Sequence, residues 1–269
     1  MGDGPYTPDP LTPEEREEFE DDLVSFCDRE LDLLGDIRGL DVLYAGGSSL
    51  LWVEGLSQRV GEGGTVTALE ADRGLVRAAG ENLEDADLPA PARVVLGDVF
   101  EPPFGPGTFD LVYSAGFFHE LDVSEKSAER ALLALTSVAR PGGRVATGDF
   151  VDTVPAVQLE DEKLDAELAR SASGRELFGI GTPERLVALH ERVLSEVRWG
   201  VSGPQTIRHM EKTVLAEEPA PLAALPAGTA GRLRSRWEAL RDRIRHEGYT
   251  RPATLYVEGR VRGGPMMPP

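Results

Sequence analysis

Gly46, Glu70, Asp98 and His119 are the residues whose types and spacing point to chemistry. Gly46 opens a Gly-Gly-Ser-Ser turn between the apolar run at Val42 and Leu43 and a helical stretch. Glycine there lets the backbone approach a ligand, and the helix start offers free N–H groups to an anion or a polar edge. Glu70 closes a second apolar run after the Gly-rich break at Gly61, Gly63 and Gly64, where a carboxylate can accept hydrogen bonds from a ribose. Asp98 follows a third run, Arg93 to Leu96. His119 and Glu120 follow a fourth run, Phe109 to Ser114, across an aromatic turn. There His119 either works as a base or orients a substrate, or it packs and bonds to backbone. His190, His209 and His246 fall on separate helical stretches without metal-ligand spacing, so a metal site is not expected. Asp149 and Asp152 flank a fifth run and read as solvated or capping acids.

These residues need a scaffold that brings strand ends together. Apolar runs alternate with helical stretches from Asp41 onward, the pattern of a parallel sheet. One helix starts near Asp72 with Leu75, Val76, Ala79 and Leu83 as its apolar positions; another spans Ser124 to Ala139 with Leu132, Leu133, Leu135 and Val138 inward. Arg140-Pro-Gly-Gly stops the second and turns the chain into the fifth run. Upstream, Thr12-Pro-Glu-Glu reads as a helix start, leading Phe19, Leu23, Phe26, Leu31 and Leu34 along one face. That helix either covers the ligand pocket or packs on the core.

Taken together, the segments resemble the class I S-adenosylmethionine (SAM) dependent methyltransferases of the small-molecule branch, well over Asp41–Val151 and more loosely through Val261. The family's first turn reads VLDxGxGxG; here Gly46 matches, Tyr44 replaces the acid, and Ser48 and Leu50 replace the next glycines. The resemblance implies an α/β, Rossmann-like, seven-stranded, mostly parallel sheet with helices on both faces and helical insertions. It implies SAM as cofactor, held by Tyr44, Ala45, Gly46, Gly47 and Ser48, by Glu70 and Ala71 at the ribose, by Asp98 and Val99 at the adenine, and by Ser114. It implies a methyl acceptor near Phe117, Phe118, Glu120 and Phe178, with His119 as the catalytic candidate. Tyr44 fills the acid's space, so Tyr44→Asp is expected to tighten SAM binding. Two alternatives stay open on the same scaffold: a SAM-binding protein with a different reaction, or a non-catalytic binder with a degenerate site.

In domain terms, residues 1–38 read as an N-terminal helical arm, 39–151 as the cofactor-binding core, and 152–269 as the rest of the same domain. The last part carries insertions at 152–181 and 205–250 and a final antiparallel strand at 253–262. Within them, helices are expected at Asp152–Arg170, from Thr182 to Val193, at Gln205–Ala216 and at Leu233–His246, with a sixth strand at Glu196–Val201. The stretch around Leu177, Phe178 and Ile180 reads as a lid that orders with substrate; a homodimer interface is the other use of these insertions.

Composition sets the outer limits. The 269 residues carry 28 basic and 47 acidic side chains, a formal charge of −19, which opposes binding to nucleic-acid phosphates or anionic membranes. Cys27 is the single cysteine and reads as a small buried residue. The first ten residues are rich in Pro and Gly and show neither a basic nor an apolar leader segment, so a cytoplasmic enzyme acting on a small molecule is expected.

Overall fold

A computed structural model describes residues 11–84, 86–213 and 218–262; the Pro-rich start and part of the expected 205–216 helix lie outside the described residues. Seven strands form one sheet in the order β3-β2-β1-β4-β5-β7-β6. They are β1 Asp41–Ala45, β2 Thr65–Glu70, β3 Ala92–Leu96, β4 Phe109–Ala115, β5 Ala139–Val151, β6 Ser195–Val201 and β7 Ala253–Arg260. The first five run parallel; β7 is antiparallel to both β5 and β6. Strand order reverses between β1 and β4, so their C-terminal ends open a crevice at that point, where ligands bind in sheets of this kind.

The helices are α1 Pro13–Asp32, α2 Leu50–Val60, α3 Arg73–Glu84, α4 Ala128–Val138, α5 Val157–Ser173, α6 Pro183–Val193 and α7 Ala227–Glu247. Side chains alternate along the strands and supply two cores. Leu43, Ala45, Leu69 and Val112 pack with α4 and α6, while Val42, Tyr44, Val66 and Tyr113 pack with α1 and α2. A third core joins α5 to α7 through Leu164, Leu168, Trp237 and Leu240.

Local signals explain the element ends. Thr12 Oγ1 accepts from Glu15 N at 3.2 Å and Glu15 Oε2 accepts from Thr12 N at 3.0 Å, a reciprocal cap worth about 1 kcal/mol. Gly142 sits at φ 75°, a left-handed position, and donates to Val261 O, so the Pro-Gly-Gly turn is an excursion between Ala139 and Arg144 of β5.

The structure departs from the sequence reading at several places. Leu75 and Leu133 are exposed (54% and 46%), because each stands one position outside the stripe that faces the sheet. Residues 205–213 are not helical: Thr206 bridges to Thr250, Ile207 is buried against Phe26 and Phe150, and His209 adopts φ 61° before a single 3-10 turn at Met210–Lys212. Burying Ile207 and pairing Thr206 outweigh the helical periodicity there. The helix expected from Leu233 starts at Ala227, and α5 starts at Val157 rather than Asp152.

Candidate active site

At the crevice the loop after β1 is pinned to the end of β2. The N–H groups of Gly46 and Gly47 both donate to Leu69 O, at 3.2 and 3.1 Å. Gly46 has φ 88°, and a side chain there would run into the Phe117 ring, so glycine is required twice over. Ser48 Oγ donates to Glu70 Oε2 at 3.1 Å, and Glu70 Oε1 accepts from Asp72 N at 2.9 Å, which fixes the carboxylate against the loop. Asp72 then caps α3 through Gly74 N and Leu75 N. Asp98 stands just past β3, with Gly97 N donating to Glu70 O at 2.9 Å; its carboxylate accepts from Phe100 N at 2.9 Å and from Lys126 Nζ at 3.4 Å. Glu70 and Asp98 therefore line one edge. Ser49 makes no side-chain cap on α2, which leaves that helix start open toward the loop.

Beside this edge, past the end of β4, lies a cavity of about 200 Å³. The turn Ala115-Gly116 forms part of its wall, α1 contributes Phe26 and Glu30, α2 contributes Trp52, and α5 contributes Gln158 and Glu162. His119, buried in a short 3-10 turn at Phe118–Glu120, pairs through Nδ1 with Asp149 Oδ1 at 2.6 Å. The other Asp149 oxygen accepts from His119 N at 3.1 Å, and Oδ1 also accepts from Phe150 N at 2.8 Å. Asp149 is thus a buried partner, not the solvated acid that its sequence position implied. Nε2 of His119 faces Glu120 and Glu162 at 3.6 and 3.8 Å. Burial alone would pull the imidazole down. The charge and hydrogen bond of Asp149, with Glu162 and Glu120 behind it, outweigh burial and hold His119 up at about 9. His119 is therefore cationic at neutral pH: a donor and positioning group rather than a resting base.

Residues 40–147 match the family described as "Methyltransferase domain". Nocamycin O-methyltransferase of Saccharothrix syringae is 32% identical over 120 residues, 44% of this chain; the chain spans only 40% of that relative's length. Among solved structures, a geranyl diphosphate methyltransferase in complex with SAM superposes with a TM-score of 0.55, at 15% identity, over 94% of this chain and 93% of that one. The [4+2]-cyclase SpnF superposes at 0.51, at 16% identity, over 88% and 82%. The two superpositions establish the fold alone; the domain match covers residues 40–147. Over those residues this chain matches a methyltransferase domain, and the chain has the fold of SAM-dependent methyltransferases. SAM is that domain family's cofactor.

Two carboxylates on one strand edge, a loop opening on Gly46 and Gly47, and an uncapped helix start are chemistry that the nucleoside end of SAM would require. The position of the motif's acid differs from the family pattern. Tyr44 is 3% exposed, stacked near Trp52 and Tyr113 with ring centroids 6.3 Å away, and its hydroxyl lies under Gly47. Of the other residues expected at the cofactor, Ala45 is buried in the sheet, while Ala71 is exposed beside Glu70 and Val99 packs on the α4 core. Ser114 turns inward: its hydroxyl bonds to Thr147, which in turn bonds to the buried His190.

At the acceptor side, Glu120 borders the cavity, Phe117 packs over Gly46, and Phe118 and Phe178 pack on each other away from it, with centroids 6.3 Å apart. The stretch expected as a lid is held by backbone bonds, Phe178 N to Leu121 O at 2.8 Å and Gly179 N to His119 O at 2.9 Å. The 152–181 insertion reaches the cavity through α5 instead. Sequence reasoning missed Glu30, Gln158, Glu162 and Arg251; each is one polar residue among several on its helix or loop, and only the fold gathers them. Among the described residues, no group of three or more His, Cys, Asp or Glu is arranged to hold a metal ion, and no helix is long and apolar enough to cross a membrane.

Proposed function

We propose that this protein transfers a methyl group from SAM to a small molecule bound in the cavity beside β4. One observation carries the reading: the cofactor edge and the cavity share the end of β4. Ala115 and Gly116 wall the cavity, and Phe117, next in the chain, lies on Gly46 of the cofactor loop. A ligand along the edge thus ends at the cavity mouth. When bound, SAM supplies an activated methyl on a sulfonium. Glu70 and Asp98 orient the nucleoside. Trp52, Phe26 and Phe150 supply aromatic walls that exclude water around the acceptor. Glu120, Glu162 and the His119–Asp149 pair fix its polar groups, so that positioning does most of the work. Glu30 is the carboxyl best suited to take a proton from the acceptor: burial pushes it up to about 7, and it borders the same cavity. The cavity volume of about 200 Å³ and the formal net charge of −19 favour a small ligand over nucleic acid. The test is incubation with methyl-labelled SAM and fractionated small-molecule extracts. Label appearing in a discrete small product supports methyl transfer. SAM turned over with no labelled product in any fraction contradicts it.

A further inference from the structure

The cavity beside β4 holds several polar atoms that are buried and lack partners. Glu30 Oε2, Gln158 Oε1, Arg251 Nε and Thr254 Oγ1 are all inaccessible and make no hydrogen bond. All four residues border the cavity. Glu30, Gln158 and Thr254 are 2%, 6% and 4% exposed. Buried polar atoms are paired in the great majority of cases, so four orphans on residues around one space call for a polar occupant. Tyr113 Oη, also unpartnered, lies with Glu30 Oε2 against Gly148.

The orphans divide by chemistry. Arg251 and Thr254 donate; Glu30 and Gln158 accept, since the Gln158 amide nitrogen is engaged with Glu162 at 3.4 Å. Arg251 is clamped as a flat donor between Phe26 and Phe150, 4.5 and 4.9 Å from the ring centroids. Glu30 and Arg251 sense each other's charge, yet they form no ion pair with each other or with any other described residue. Opposite charges on residues that border one space without pairing are complementary to a molecule carrying both. The room of about 200 Å³ far exceeds the ~15 Å³ that one water needs.

We propose that this cavity binds a small zwitterion, its ammonium held by Glu30 and Gln158 and its carboxylate by Arg251 and Thr254. Two sources carry that chemistry: an amino-acid-type methyl acceptor, or the methionyl end of SAM itself, which here meets Tyr44 instead of an acid on β1. The proposal rests on the reading above only in choosing between them.

Calorimetric titrations of the whole chain separate the outcomes, using wild type, Glu30→Gln and Arg251→Lys. Suppose S-adenosylhomocysteine binding weakens about tenfold in both variants while 5′-methylthioadenosine, which lacks the amino-acid tail, binds all three alike. The zwitterion is then the cofactor's tail. Suppose instead that S-adenosylhomocysteine is unaffected, and glycine or β-alanine binds the saturated wild type but is about tenfold weaker in the variants. The zwitterion is then the acceptor. If glycine and β-alanine bind no better than propionate or ethylamine, and the variants bind S-adenosylhomocysteine as wild type does, the proposal is overturned and the cavity holds water. If S-adenosylhomocysteine binds to none of the three proteins, the methyl-transfer reading falls. The glycine and β-alanine titrations into the free protein then decide the zwitterion by the same criterion. Circular dichroism of each variant confirms that a loss of binding is not a loss of fold.

Discussion

Glu30→Gln is expected to make the protein more stable, and only at high pH. Glu30 is 2% exposed, its Oε2 has no partner, and burial, partly offset by Arg29 and Arg251, pushes its carboxyl from an ordinary 4.5 up to about 7. The sign follows from linkage. Below pH 4.5 the carboxyl is protonated in both folded and unfolded chains and its titration contributes nothing to the difference. As pH rises through 7 the unfolded chain has already released its proton, and the folded chain must bury a charge to do the same. A pKa raised from 4.5 to about 7 corresponds to a loss of about 3 kcal/mol of stability, complete above pH 7. Glutamine keeps the shape and removes the titration. Urea denaturation at pH 4.5 and pH 8.5 reads the difference: similar midpoints at the lower pH, and a gain of ~2–3 kcal/mol for the variant at the higher. A variant that is equally or less stable at pH 8.5 would show that Glu30 has a partner or solvent after all. Such a gain on removing a polar residue is the mark of a site that gives up stability for binding.

Other residues give independent tests. Asp149→Asn should drop the His119 titration from about 9 to below its ordinary 6.5, seen in imidazole proton resonances. It should also remove about 3 kcal/mol that the pair supplies below pH 6.5 and that wild type itself loses as pH rises through 9; an unshifted His119 would refute the pairing. Gly46→Ala combines a left-handed backbone with overlap on the Phe117 ring, so it should cost more than about 2 kcal/mol, or abolish folding, in a denaturant melt; Gly142→Ala, left-handed but with open space around it, should cost less. Tyr44→Asp, expected from the turn motif to tighten SAM binding, instead puts a carboxylate into an aromatic cluster and should destabilise by about 3 kcal/mol or more. Wild-type stability in that variant would mean that the site is wetter than its 3% exposure implies.

Much of the architecture is legible in the sequence because its signals are local. The cap at Thr12, the stop at Arg140-Pro-Gly-Gly and the glycine turn at Gly46 each act within a few residues, and Glu70 and Asp98 inherit their places from the strands they end. The cavity is not legible in the same way. Glu30 sits on α1 and Arg251 just before β7, and nothing but the closure of the sheet brings them to one space. Asp149 and His119 are 30 residues apart, and their bond depends on β4 and β5 lying side by side. The failed helix at 205–213 has the same origin: Ile207 and Thr206 find tertiary partners whose pull exceeds a weak local preference.

The central claim is that the edge formed by Gly46, Glu70 and Asp98 holds the nucleoside of SAM. Calorimetric titration of S-adenosylhomocysteine into wild type and Glu70→Ala tests it most directly. One molecule should bind per chain, with affinity weakened by ~1–3 kcal/mol, about 5- to 150-fold, once the Glu70 carboxylate is gone. Unchanged affinity in a folded Glu70→Ala protein, or no binding to wild type at all, would contradict the account.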